Sequence, residues 1–227
     1  MIAARLNDVR ARMAEAAARA GRSPSAVRLI AVSKTFPIEA VRAAYEAGQR
    51  DFGENRVQEA LQKIAVSADL DIRWHLIGHL QSNKARKAAE HCALIHSVDS
   101  TDLLRRLDEA AAAAGRTPEL LVQVDLALET TKHGAPIDRI SDIFEQAVRC
   151  TAARVVGLML LPPLAENPQD ARPWFQRLRE LRDSLASNGV PAAHLAELSM
   201  GMSHDFEVAI EEGATMVRVG SAIFGQR

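Results

Sequence analysis

Short apolar runs alternate with amphipathic stretches from residue 27 to the end of the chain. The runs Val27–Ser33, Asp51–Gly53, Arg73–Ile77, Leu94–Ser97, Leu120–Val124, Val155–Leu158, Glu197–Ser199 and Met216–Val219 are rich in β-branched and aliphatic residues and predict strands. The stretches Ile38–Ala47, Val57–Ala65, Leu103–Ala114, Ile137–Val148 and Trp174–Ala186 place apolar residues at helical spacing and predict helices. Several helical stretches close on glycine steps, Ala47-Gly48, Ala114-Gly115, Asn188-Gly189 and Glu212-Gly213, where glycine fits the left-handed position just past a helix end. Ahead of the first strand, Ile2, Leu6, Val9 and Met13 share one helical face, which predicts an additional N-terminal helix.

Strands that alternate with helices return to parallel neighbours through crossovers, so the pattern predicts a parallel sheet. Eight βα units match a closed (β/α)8 TIM-type barrel spanning residues 1–227 as a single α/β domain. A doubly wound open sheet is the competing arrangement. No Pro/Gly/Ser-rich linker divides the chain, and the proline-containing stretch from Leu161 to Pro168 reads as a long loop after strand six.

Composition narrows the function classes. The 28 Lys and Arg balance 29 Asp and Glu, so the basic excess expected of a nucleic-acid or membrane-surface protein is missing. Aromatic residues make up only 4% of the chain, which argues against stacking platforms for single strands. No apolar stretch is long enough to span a bilayer, and the N-terminal segment has no continuous apolar stretch of a secretory signal. Cys92 and Cys150 lie in no metal-binding spacing and read as reduced thiols, consistent with a cytoplasmic protein.

In a βα barrel the reacting groups sit where the strands end at the C-terminal face. Strand one ends in Ser33-Lys34-Thr35. A lysine there either reaches solvent at the rim or is held neutral, and a neutral lysine is a nucleophile toward carbonyls. Strand two ends in Glu54-Asn55-Arg56, where Asn55 is either a polar site residue or a helix cap. His75 and His79 have the same strand parity, which raises a metal pair, but no third ligand completes it and no metal is expected. Lys132, beside His133-Gly134, reads either as a rim-loop group or as a solvated lysine.

The sharpest signal follows strands seven and eight. Leu198-Ser199-Met200-Gly201-Met202-Ser203 and Val217-Arg218-Val219-Gly220-Ser221-Ala222 are both Gly/Ser loops leading into helical stretches. Such loops present backbone N–H groups and hydroxyls to an anion, and barrels commonly hold phosphate after these two strands. Arg218 lies two residues before Gly220, where it serves either the phosphate or the barrel interior. A ligand joining a phosphate to a carbonyl fits the lysine and both loops: pyridoxal 5′-phosphate, or a sugar phosphate on a Schiff-base aldolase.

These segments, together with Asp51-Phe52-Gly53-Glu54-Asn55-Arg56-Val57-Gln58-Glu59, Trp74-His75-Leu76-Ile77-Gly78-His79-Leu80-Gln81-Ser82-Asn83-Lys84 and His96-Ser97-Val98-Asp99, resemble the pyridoxal phosphate homeostasis protein family over nearly the whole chain. That family looks like the barrel domain of alanine racemase standing alone, a fold-type III pyridoxal phosphate protein. The resemblance implies that Lys34 forms an imine with pyridoxal 5′-phosphate and that Ser199, Gly201, Gly220 and Ser221, with the Met200 backbone, hold its phosphate. It implies Arg218 against the pyridine nitrogen, Asn55 near the cofactor, and Lys132 as a secondary contact. The function it implies is a reversible carrier or buffer of the cofactor, monomeric, without substantial catalysis and with apo-enzymes as recipients. The alternative is a racemase-like enzyme of weak activity, which the lone Tyr45, in the first barrel helix, supports poorly as a second base.

Overall fold

A computed structural model describes residues 1–127 and 133–226. Helix α1 (Ile2–Arg19) precedes eight strands: β1 (Arg28–Val32), β2 (Asp51–Glu54), β3 (Arg73–Leu76), β4 (Leu94–Val98), β5 (Glu119–Val124), β6 (Arg154–Leu160), β7 (Glu197–Met202) and β8 (Met216–Val219). They pair in chain order, all parallel, and β8 closes onto β1 with Ile30 opposite Arg218. The closed barrel settles the choice against an open sheet.

The strands are joined by α2 (Ile38–Glu46), α3 (Val57–Val66), α4 (Ala85–His91), α5 (Thr101–Ala113), α6 (Ile137–Ala147), α7 (Arg172–Ser187) and α8 (Phe206–Glu211), and α9 (Ser221–Phe224) follows β8. The five helices read from periodicity occur within two residues of their expected bounds. Helix α4 leaves no periodic mark in the sequence: its seven residues, ARKAAEH, are too few to display a period against an alanine-rich background. The α5 start is fixed locally, with the Ser100 hydroxyl accepting from the Leu103 N–H at 3.3 Å.

Two apolar layers result. The larger lies between strands and helices and takes in Phe52, Trp74, Leu104, Phe144, Phe175 and Phe206. Helix α1 joins it through Leu6, Val9 and Met13, packing on α2, α8 and α9 where the barrel closes. Burial of such side chains contributes about 1.5–3 kcal/mol each. Inside the barrel Ile30, Leu94, Leu121, Met159 and Met216 form a separate small cluster. The rest of that interior includes the buried polar side chains of His75, His96, Ser199 and Arg218.

Strand β7 runs three residues past its expected end at Ser199. Its pairing with β8 shifts between Ser199 and Met202, and Gly201 sits at φ +92°. The glycine that reads as a loop signal is a bulge inside the strand. Its Cβ would lie 2.5 Å from Ala209 Cβ and 3.1 Å from Phe206 Cα, so glycine also lets α8 pack down on β7. Cys92 and Cys150 are free thiols, and burial pushes Cys92 up to about 12. No helix among the described residues is long and apolar enough to cross a membrane.

Candidate functional site

At the C-terminal face of the barrel lies a cavity of about 840 Å³. Lys34, Asn55, Arg218, Gly220 and Ser221 all line it, brought together from β1, β2 and β8. Val32, Phe36, Ile77 and Met202 supply apolar wall. The next residue after Lys34, Thr35, has φ +66°, making it the sole described non-glycine residue in left-handed backbone. Such a conformation costs of order 1–3 kcal/mol and persists where the surroundings impose it. It belongs to the turn that carries the lysine over the cavity.

A buried clamp lies beneath Lys34 and Asn55. The Ser33 hydroxyl donates to Glu54 Oε1 at 2.6 Å. Lys63, on α3, donates to the same oxygen at 2.6 Å and to the Ser33 carbonyl at 2.7 Å. Glu54 is fully buried and its second oxygen has no hydrogen-bond partner among the described residues. Burial raises the Glu54 carboxyl, with Lys63 and Ser33 opposing. Because Ser33 precedes Lys34 and Glu54 precedes Asn55, one ion pair ties together the two strand ends that carry site residues. Asn55 does not cap α3: Arg56 holds that position, and no side chain caps it. Instead the backbone at Gly78 passes so close that a Cβ there would meet the Asn55 carbonyl at 2.3 Å.

The loops after β7 and β8 meet across the rim. The Ser203 hydroxyl accepts from Gly220 N at 3.0 Å and Ala222 N at 3.4 Å, and Asp205 holds the Met202 N–H at 2.6 Å. Met202 and Ser203 line the cavity. Ser199, Met200 and Gly201 do not line it; they lie within the extended β7 and are buried. The stretch expected to follow β7 as a loop is thus part of the strand, which continues through its bulge, and the cavity wall there begins at Met202. Ser199 turns into the barrel and accepts from Arg218 Nη1 at 2.5 Å, while Arg218 Nη2 donates to the Leu160 carbonyl at 2.8 Å. Burial draws Arg218 down to about 10, with Asp205 opposing, so the guanidinium is still charged at neutral pH.

His75 and His79 are separated, because β3 ends at Leu76 and strand parity no longer applies beyond it. His75 points into the barrel toward Asp51 and His96. His79 lines the cavity and stacks on His133, ring centroids 3.6 Å apart. Burial lowers His79, and His133 adds to that. Among the described residues no group of three or more His, Cys, Asp or Glu is placed to hold a metal ion. Lys132 lies outside the described residues. Gln123, His133 and His204, to which the sequence gives no role, line the cavity with Met202: Gln123 and Met202 stand on β5 and β7, His133 and His204 on the connections that follow them, and barrel closure gathers them.

The family model described as alanine racemase, N-terminal domain, matches residues 5–227. A protein of Pseudomonas aeruginosa named pyridoxal phosphate homeostasis protein is 46% identical over 100% of this chain and 96% of its own. One of the same name from Aquifex aeolicus is 44% identical over 98% and 97%. The solved structure of PipY from Synechococcus elongatus, with pyridoxal phosphate bound, superposes with a TM-score of 0.87 at 44% identity, covering 99% of this chain and 100% of that one. With the family match running from Arg5 to the C-terminus and its curated relatives matched nearly end to end, the chain belongs to the alanine racemase N-terminal domain family, alongside the proteins named for pyridoxal phosphate homeostasis.

Proposed function

We propose that the cavity binds pyridoxal 5′-phosphate reversibly and that the protein serves as a carrier or buffer of the cofactor. The observation that carries this reading is the meeting of Lys34, on its left-handed turn, with Arg218 and the Gly220–Ser221 loop in one cavity. The residues fit the group. An amine, a charged guanidinium, an amide and two adjoining loops rich in N–H and hydroxyl donors surround an apolar-walled space. The relatives' printed names and the ligand of the PipY structure support the same cofactor. Bound there, pyridoxal phosphate supplies an aldehyde with which a lysine amine condenses to an imine, releasing water.

Each residue then has a task. Lys34 presents its amine at the wall of the cavity. Asn55 and Arg218 orient the ring, and Arg218, as a donor that keeps its proton, leaves the ring nitrogen unprotonated. Ser203, Gly220 and Ser221 receive the phosphate; the N–H groups now resting on the Ser203 hydroxyl are the donors an anion would share. Ser199 acts on Arg218 and not on the phosphate.

An unprotonated ring is a poor electron sink, which supports binding without turnover. Tyr45 offers no second base at the cavity: it stands on α2, with its hydroxyl taking the Asp71 N–H at 3.3 Å and Arg50 over its ring. The enzyme alternative draws on one observation, the histidines His79, His133 and His204 along the wall, as proton carriers.

Two measurements test the reading. Ser203→Ala with Ser221→Ala should weaken pyridoxal phosphate at least tenfold, since hydrogen bonds to anions contribute about 1.5–3 kcal/mol each, and should spare pyridoxal. Equal losses for both ligands would refute the phosphate role. Cofactor-loaded protein incubated with L-amino acids in deuterated water should give at most slow α-proton exchange. Multiple turnovers per minute to the D-enantiomer would replace the carrier by the enzyme.

A further inference from the structure

A line of polar side chains runs through the barrel interior, where layers of branched apolar residues are usual. Asp51 Oδ1 lies 2.9 Å from His75 Nε2, His75 Nδ1 lies 3.1 Å from His96 Nε2, and His96 Nδ1 lies 2.9 Å from the Ser199 hydroxyl. Ser199 in turn meets Arg218. Both imidazoles and the hydroxyl are fully buried. The line begins at the first residue of β2, on the N-terminal side of the barrel, and ends at the floor of the cavity on the other side.

The chemistry of the ends fixes the direction of every link. Arginine has donors only, so the Ser199 oxygen accepts from it. The hydroxyl proton must then go to an acceptor, and His96 Nδ1 is the one within reach. His96 therefore carries its proton on Nε2 and donates to His75 Nδ1. His75 likewise carries its proton on Nε2 and donates to Asp51, which as a carboxylate has acceptors only. Every imidazole nitrogen and the Ser199 hydroxyl along the line thus has a partner.

The surrounding charges favour this arrangement. Burial lowers His75, against the pull of Asp51, and Arg73 and Arg28 add to the lowering. Burial holds His96 well below its ordinary value, and His75, Arg218 and Arg28 act in the same direction. Both rings are thus neutral. Burial works against the Asp51 carboxylate, but the His75 hydrogen bond together with nearby Arg73 and Arg28 outweighs it and leaves the group below its usual range.

We propose that His75 and His96 are positioning residues for the cofactor site: with Ser199 they form a one-directional chain, anchored on Asp51, that holds the Arg218 guanidinium at the cavity floor. This rests on the reading of Arg218 as the partner of the cofactor ring. A buried arginine needs acceptors, and each acceptor that is itself a donor passes the requirement one step further. The chain ends only at Asp51, which is half-buried at the far rim and keeps contact with water. Replacing buried charged groups by well-packed apolar residues is often neutral or stabilising, so stability alone is a weak account of a polar interior. The residues found here are those that a fixed, charged Arg218 requires.

The full-length protein, 15N-labelled and free of cofactor, tests the chain by NMR of its imidazole nitrogens. The expected result at pH 7 is two neutral rings, each with its proton on Nε2. A proton on Nδ1 of either ring, or a charged ring, overturns the ordered chain. The positioning role is tested with His96→Leu, which breaks the chain, and His96→Gln, whose amide has both an acceptor and a donor. With pyridoxal phosphate, His96→Leu should bind about tenfold or more weakly, the loss that follows removal of a hydrogen bond to a charged group. It should also shift the pH midpoint of the visible band, while His96→Gln stays within about threefold and near the original midpoint. A merely structural histidine would lower the melting temperature and leave affinity and midpoint of the folded fraction unchanged; that result overturns the proposal. If His96→Leu fails to fold, Ser199→Ala breaks the same chain with a smaller change and is read the same way. If the unmodified protein shows no visible band with pyridoxal phosphate, the proposed function fails, and the tautomers alone decide the chain.

Discussion

Replacing Lys63 by methionine probes the clamp beneath the site. The two partners are closely matched in geometry, 2.6 Å apart, with side-chain exposures of 12% for Lys63 and 0% for Glu54. Methionine fills the space of the lysine stem and removes the charge, leaving Glu54 buried without a cation. Breaking a buried pair in this way costs about 3–5 kcal/mol. The carboxyl has an escape, because it can take up a proton. At pH 7 an ordinary carboxylate near pKa 4.3 lies about 2.7 units away, so keeping Glu54 neutral costs about 3.7 kcal/mol at about 1.36 kcal/mol per unit. That sets a ceiling on the electrostatic loss. At pH 5 the same route costs only about 1 kcal/mol. Lys63→Met should therefore destabilise by about 3–4 kcal/mol at pH 7 and by markedly less at pH 5. Guanidinium unfolding at the two pH values, with the slope m checked for constancy, gives both numbers. Pyridoxal phosphate affinity should fall as well, because Ser33 and Glu54 fix the backbone next to Lys34 and Asn55. A loss below about 1 kcal/mol at pH 7, or an equal loss at both pH values, would refute the reasoning.

Gly201→Ala should cost about 2–4 kcal/mol, combining left-handed backbone with a Cβ 2.5 Å from Ala209; Gly115→Ala, at φ +63° with open space around it, should cost only about 1–2 kcal/mol in the same denaturation assay. Acid should destabilise the protein. His75 and His96 have folded values below the unfolded 6.5, so their contribution is present above about pH 6.5 and is lost as the pH falls below it. The slope reaches about 1.4 kcal/mol per pH unit for each ring, while Glu54 and Asp205, both raised by burial, act in the opposite sense above the ordinary carboxylate range. Unfolding free energies from pH 7.5 to 5.5 should fall, and fall less steeply in His96→Gln; stability that rises on acidification would contradict the buried neutral rings.

The barrel was legible because most βα units announce themselves locally, through an apolar run and an amphipathic stretch, and four of them also through a glycine just past the helix end. That Lys34, Asn55, Arg218, Gly220 and Ser221 would line the cavity was legible for a related reason: in this fold a strand's C-terminal end is where the cavity opens. Gly201 marks a turn in sequence and a bulge in structure, so the cavity wall beyond β7 is made by Met202-Ser203, while Ser199–Gly201 lie within the strand. His75 was read against His79, four residues on, when its partners are Asp51 and His96. The links of that chain span up to 103 residues of sequence, from His96 to Ser199, and no local pattern encodes them.

The central claim is that Lys34 is the lysine that holds the cofactor. The most direct test is borohydride reduction of the protein loaded with pyridoxal phosphate, followed by peptide mapping by mass spectrometry. The expected result is one pyridoxyl label, on the peptide containing Lys34, loss of the visible band on reduction, and neither label nor band in a folded Lys34→Ala protein. A label carried by Lys63, Lys84 or Lys132 in place of Lys34, or a Lys34→Ala protein that keeps its band, would contradict it.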